Sequence, residues 1–173
     1  VLPDGTKVLT ASRSTVFAEM IRSMERDGPL ASFASLAAVA MVVLIATHDI
    51  VGASAVLLCL VLGVLWTVGL SAAFGLKLHF LNFIALPITF GIGSEYPFNV
   101  YDRTRLLGFD VRASVQRVGG AVALCSFTTI VGYGSLVLSD MQALQSFGRL
   151  AVAGEIACLL AAMLLLPSML HLI

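Results

Sequence analysis

The chain has 173 residues, 59% hydrophobic and 12% charged, with equal numbers of acidic and basic side chains and a mean hydropathy of +1.01. A soluble domain carries about 25% charged residues, so this composition excludes an ordinary soluble fold and predicts an all-α integral membrane protein. A formal net charge of zero offers no basic surface to nucleic acid. Cys59, Cys125 and Cys158 sit in apolar runs without metal-ligand spacing, as small buried hydrophobes do.

Residues 1–29 predict the end of an external domain and an amphipathic connector helix. Pro3-Asp4-Gly5 is a turn signal. Between Thr15 and Asp27, Val16, Phe17, Met20, Ile21 and Met24 share one helical face, and Ser14 can cap the helix. Arg13, Arg22 and Arg26 interleave with Glu19, Glu25 and Asp27 on the rest, the pattern of a solvated face. Gly28-Pro29 is expected to stop this helix.

Residues 30–173 predict a five-helix transmembrane bundle, with spans at about 30–47, 50–76, 80–101, 118–139 and 147–171. Short connections make neighbouring spans antiparallel. The loop from Asp102 to Arg117 carries Arg103, Arg105, Arg112 and Arg117, whereas the opposite side offers Lys77 and Arg149. The positive-inside rule therefore places that loop and the C-terminus in the cytoplasm and the N-terminus outside. Five spans with an external N-terminus lead to the expectation of a further helix upstream. Asp110 reads as the cap of a short interfacial helix, Val111 to Arg117.

The third span contains Glu95 in the run Gly91-Ile92-Gly93-Ser94-Glu95-Tyr96. A carboxylate at membrane depth costs roughly 2.5–3.5 kcal/mol on insertion scales, so it is expected to face a partner, a cavity or a proton path. Gly91, Glu95, Asn99 and Asp102 share a helical face. Gly91 and Gly93 allow close helix approach. Pro87 and Pro97 each lack an N–H and weaken the helix on either side of Glu95, as in the broken helices of transport sites, although prolines are also common in ordinary membrane helices.

On the fourth span Ser126, Thr129 and Tyr133 share a face, with Thr128 and Gly132 beside it. Their hydroxyls can bond a carboxylate on another helix or their own backbone carbonyls. The fifth span puts Gly148, Ala151, Glu155, Cys158 and Ala162 on one face, about two turns from the external end at Glu155. Glu155 can contact a helix there, snorkel to water, or pair with Arg149. A protonated carboxyl is tolerated beside apolar helices, and an ionised one demands a donor or water. That difference can bias two packings of a bundle, as alternating access requires. Sodium could use the same carboxylate.

The motif Gly91-Ile92-Gly93-Ser94-Glu95-Tyr96, followed by Tyr101-Asp102-Arg103, resembles the fourth or tenth helix of resistance-nodulation-division (RND) permeases, nearest to the MMPL branch of lipid and hopanoid exporters. Two further blocks are similar, Ser126 through Leu136 and Ser146 through Glu155 with a close at Leu166-Pro167-Ser168-Met169-Leu170. The resemblance implies that Glu95 is the proton-relay residue and Tyr96 its neighbour. Asn99, Ser126, Thr129, Tyr133 and Glu155 would supply supporting polar contacts. Pro87, Gly91, Gly93 and Pro97 would serve packing or hinge roles. It also implies a bacterial inner-membrane protein, not an enzyme, with no cofactor beyond a coupling proton.

The partners implied are the other membrane half, the porter domains, the bilayer and a lipid or other hydrophobic substrate, and a homo-oligomer is compatible. The chain would be the end of a porter domain plus the five following helices, from the C-terminal half, and inert in transport by itself. Two positions depart from the family pattern. Glu95 stands where Asp is usual, and Pro97 follows Tyr96 directly. The same five-helix unit resembles a sterol-sensing domain, so the alternative is a lipid-binding regulatory module without transport. An intramembrane protease would need two aspartates at membrane depth, and the spans contain none. No phosphate-binding Gly-rich loop, His/Cys cluster or Ser-His-Asp arrangement is apparent.

Overall fold

The computed structural model describes residues 13–75 and 82–171. The turn at Pro3-Asp4-Gly5, Lys77 and the expected start of the third span at Phe80 lie outside the described residues. Among the described residues every regular element is helical: α1 (Arg13–Thr47), α2 (Ile50–Ala73), α3 (Asn82–Leu106), α4 (Val111–Leu136), α5 (Gln142–Leu160), a π-helical turn (Ala161–Leu165) and α6 (Leu166–Leu170). Successive long helices alternate in direction. Thr47, Asp49, Arg103, Arg105 and Asp110 gather at one end, hereafter the arginine end.

Among the described residues four helices are long and apolar enough to cross a membrane: Ser14–Thr47, Ile50–Ala73, Val111–Leu136 and the run Gln142–Leu170. α3 has 25 residues but is not among them: Asn82, Ser94, Glu95 and Asn99 interrupt its apolar run, and Asp102, Arg103 and Arg105 follow at its end. It is nevertheless the central helix, packed against α1, α2, α4 and α5. α1 and α4 are largely exposed, while α2 and α5 are about half buried.

Three boundaries differ from the sequence expectation. Gly28-Pro29 does not stop a helix, and the amphipathic connector and the first span form one 35-residue α1, about 52 Å long at 1.5 Å per residue. Gly28 has no Cβ to clash with the Pro29 ring, and Ser32 Oγ donates to the Gly28 carbonyl at 2.9 Å, so the run stays helical. The interfacial helix at Val111–Arg117 is likewise continuous with the fourth span, and Asp110 caps the joint helix by accepting from Ala113 N–H at 2.9 Å. The fifth span is interrupted by the π turn, where Leu166 N–H donates to the Ala161 carbonyl, just ahead of Pro167.

Packing at the arginine end is tight. Thr47 is buried, and Asp49 caps α2 by accepting from Gly52 N–H at 2.9 Å and Val51 N–H at 3.2 Å. Tyr101 on α3 donates to the same Asp49 carboxylate at 2.9 Å, and Arg105 donates to the Thr47 carbonyl. Val43, Val56, Cys59, Val100, Val111 and Leu166 form the core beneath this latch. His48 takes up the chain reversal at φ 50°.

Candidate functional site

α3 presents two different faces around its Gly-x-Gly-x-Glu-Tyr segment. Consecutive helical residues point about 100° apart, so Glu95 and Tyr96 aim in different directions. Tyr96 turns inward and is 1% exposed, and Glu95 turns outward and is exposed. Gly91, four residues earlier, lies on the exposed face too, and a Cβ there would meet nothing within 4 Å. Gly93 does provide a close approach: a Cβ there would stand 2.8 Å from Cys158 Sγ and 3.1 Å from Leu60 Cδ1.

The inward face meets α5. Tyr96 Oη donates to Glu155 Oε1, and Glu155 is 5% exposed. Every residue of the α5 face that carries Glu155 is buried: Gly148, Ala151, Cys158 and Ala162. The small residues let α5 approach α3 and α4 closely, which draws the carboxylate inside. At Gly148 a Cβ would stand 2.8 Å from the Tyr133 carbonyl oxygen. Glu155 therefore bonds Tyr96 rather than snorkelling or pairing with Arg149, which is exposed on the other side of α5.

α4 closes the pair from the third side. Ser126 is fully buried beside Tyr96 and Glu155, its Oγ close to both but without a well-formed hydrogen bond to either. Thr129 lies near the Tyr96 hydroxyl, yet its own Oγ1 donates to the Cys125 carbonyl at 3.0 Å. Thr128 bonds the same carbonyl at 2.7 Å. The Tyr133 ring packs edge-on against Phe147, centroids 6.0 Å apart. A void of about 10 Å³ beside Glu155 is walled by Thr89, Tyr133, Phe147 and Ala151, room for about one water.

The outward face of α3 lines an open groove of about 290 Å³ formed by Glu95, Tyr96, Asn99, Val118, Val122 and Cys125. Tyr96 therefore borders both sites: it lines the groove, and its hydroxyl reaches Glu155. The two prolines do not break the helix. α3 runs unbroken through Pro87 and Pro97, and neighbours on four sides offset the lost backbone bonds. Pro87 O accepts from Ser35 Oγ at 3.4 Å. At the far end from the arginines, an apolar cavity of about 270 Å³ lies between α2, α3 and α5, walled by Val64, Val68, Ala72, Leu86 and Leu150. Ala85 and Thr89 line both this cavity and the void at Glu155.

The sequence offered no direct sign of the Tyr96–Glu155 bond. The small-residue stripe around Glu155 was the available signal, because such stripes mark helix contact. The Asp49–Tyr101 and Thr47–Arg105 contacts were also missed, since both span more than fifty positions. Among the described residues, no group of three or more His, Cys, Asp or Glu side chains could hold a metal ion.

The long apolar helices and the bundle they form define a helical membrane protein. No protein-family model matches the chain, and no solved structure matches it significantly. A protein of Methanocaldococcus jannaschii named "Putative membrane protein MJ1562" is 21% identical over 174 residues. The similarity covers 96% of this chain and 45% of that protein, so the chain spans under half the relative's length.

Proposed function

We propose that the chain is one membrane half of a proton-driven exporter of the RND/MMPL type, carrying a lipid or another hydrophobic compound. In this reading α3 is a fifth span, the arginine end is cytoplasmic, and the protein sits in a bacterial inner membrane. The observation that carries the reading is Glu95, a carboxylate exposed midway along the central helix in a groove between α3 and α4. The α4 wall of that groove is made of Val118, Ala121, Val122 and Cys125. A carboxylate on such a surface is costly against lipid. A second membrane half covering the groove removes that cost and can place further polar groups opposite Glu95 and Asn99.

Proton binding at Glu95 then becomes an event at an interface between halves. The ionised acid favours a packing that brings it a donor or water, and the protonated acid tolerates a closed apolar contact. Two packings of unequal proton affinity are what coupling needs. The resemblance in the third, fourth and fifth spans supports the exporter assignment. The test is gradient-driven transport of fluorescent lipids by the full-length protein in proteoliposomes, wild type against Glu95→Gln. Loss of flux with folding intact supports the reading, and unchanged flux overturns Glu95 as the relay.

One observation favours a second reading, a lipid-binding regulatory module. The cavity of about 270 Å³ has the apolar lining and a size near the lower end of small-molecule sites. Such a module needs no titrating acid, so Glu95→Gln leaves its lipid response intact.

A further inference from the structure

We propose that Glu155 is a second proton-binding group, connected to the Glu95 groove through Tyr96 and contained wholly within this five-helix unit. The inference rests on the reading of the chain as a proton-coupled membrane half, and it goes beyond it by placing a second, buried acid on α5. Four observations converge.

First, Glu155 is buried among helices, 5% exposed, and accepts the Tyr96 hydroxyl proton. Among the described residues no arginine or lysine forms an ion pair with it. A carboxylate so placed, with only neutral hydroxyls beside it, does not have the charge partner that a structural buried acid usually has. The titratable groups around it are Tyr96 and Glu95 from α3, Tyr133 from α4, and Cys158 from α5 itself.

Second, Ser126 Oγ is buried beside the pair, close to both Tyr96 and Glu155 but without a well-formed hydrogen bond to either. Buried hydroxyls are rarely left so. The arrangement has a use for it, because a protonated Glu155 becomes a donor and a hydroxyl is an acceptor as well. The local geometry thus accommodates both protonation states of one carboxyl. Third, the void of about 10 Å³ beside Glu155 gives room for a single water on the side away from Tyr96. Fourth, Tyr96 borders the groove that holds Glu95, so the phenol stands between the buried acid and the open one.

The proton step is simple. Protonation forms one O–H bond on Glu155, the proton coming from water, and the neutral acid can then donate to the Ser126 hydroxyl. Deprotonation breaks that O–H bond and returns the proton to water, and the carboxylate again accepts from Tyr96 Oη. No electrons change hands. Tyr96 is a positioning residue, and Glu155 is the group that stores the proton.

The test is a pH titration of the full-length protein by infrared difference spectroscopy, comparing wild type with Glu95→Gln, Glu155→Gln, Glu155→Asp and Tyr96→Phe. The expected result is a titrating carboxylic-acid band that survives Glu95→Gln, vanishes in Glu155→Gln and shifts in frequency in Glu155→Asp. Tyr96→Phe changes the proton affinity read from that band by about tenfold, the size of one hydrogen bond to a charged group. If Glu155→Gln fails to fold, the band shift in Glu155→Asp and the affinity change in Tyr96→Phe carry the test. The proposal is overturned if every titrating acid band persists unchanged in the Glu155 variants. The spectrum needs no transport, so an inactive Glu95→Gln exporter and a non-titrating Glu155 are separate outcomes.

Discussion

Gly52 is the position where a single methyl group should do the most damage at the arginine end. A Cβ there would stand 1.9 Å from Tyr101 Cζ and 2.0 Å from its Oη. Both are atoms of a buried aromatic ring that cannot bend aside, so Gly52→Ala must push Tyr101 off its site and break its 2.9 Å bond to Asp49. Overpacking of this kind costs about 1–3 kcal/mol, and alanine returns up to about 1 kcal/mol of helix propensity. With the full propensity gain the steric balance is a net loss of up to about 2 kcal/mol, before the broken Asp49 contact is added. Unfolding by SDS titration in mixed micelles, followed by circular dichroism, measures it. The companion variant is Tyr101→Ala. With the ring gone the clash disappears, and Gly52→Ala then becomes neutral or stabilising by up to about 1 kcal/mol. That sign reversal is the signature of the contact. An equal loss with and without the Tyr101 ring would refute the argument.

The other predictions concern the same helices. Backbone N–H groups of Gly52 and Val51, together with the Tyr101 hydroxyl, hold the Asp49 carboxyl below the usual carboxylate range. Its stabilising effect is therefore present above about pH 4 and lost as pH falls through the lower folded-state value. Wild type should consequently lose stability as pH falls below about 4, and Asp49→Asn should flatten that limb. The two glycines of α3 should respond differently to alanine. Gly91→Ala meets open space and gains up to about 1 kcal/mol, whereas Gly93→Ala pushes into Cys158 and Leu60 and loses about 1–3 kcal/mol, both read as unfolding midpoints. Gly148→Ala, against the Tyr133 carbonyl oxygen, should loosen the α4–α5 contact by a similar amount. A stable Gly148→Ala protein would show that the contact gives way more easily than its distance implies.

Much of the architecture could be read from local rules. Asp110 caps α4 because an aspartate before an apolar run satisfies a free N–H, and that needs no knowledge of the rest of the chain. Long uncharged stretches become helices because lipid leaves the backbone no other way to pair. The rules that failed were also local. Gly28-Pro29 has the composition of a helix stop, yet α1 continues because glycine before proline removes the usual clash and Ser32 engages the Gly28 carbonyl. Pro87 and Pro97 suggested a broken α3, and the helix runs on because it is packed on four sides. In both cases tertiary surroundings outweighed a local penalty of a few kcal/mol.

The two acids show a deeper limit. In a soluble helix the apolar stripe tells the inside from the outside, because the outside is wet. In a bilayer both the lipid-facing and the protein-facing side chains are apolar, so hydropathy is silent about which face is covered. Glu95 drew attention as the acid in the Gly-x-Gly motif, yet within this unit it faces outward while Tyr96 beside it is enclosed. What distinguishes Glu155 is residue size: Gly148, Ala151, Cys158 and Ala162 leave room for neighbouring helices to close over it. Small residues at helical spacing report a helix contact where hydrophobic ones cannot. A carboxylate amid such a stripe is therefore enclosed by its own bundle. One on a face with an open glycine such as Gly91 awaits a surface from outside it.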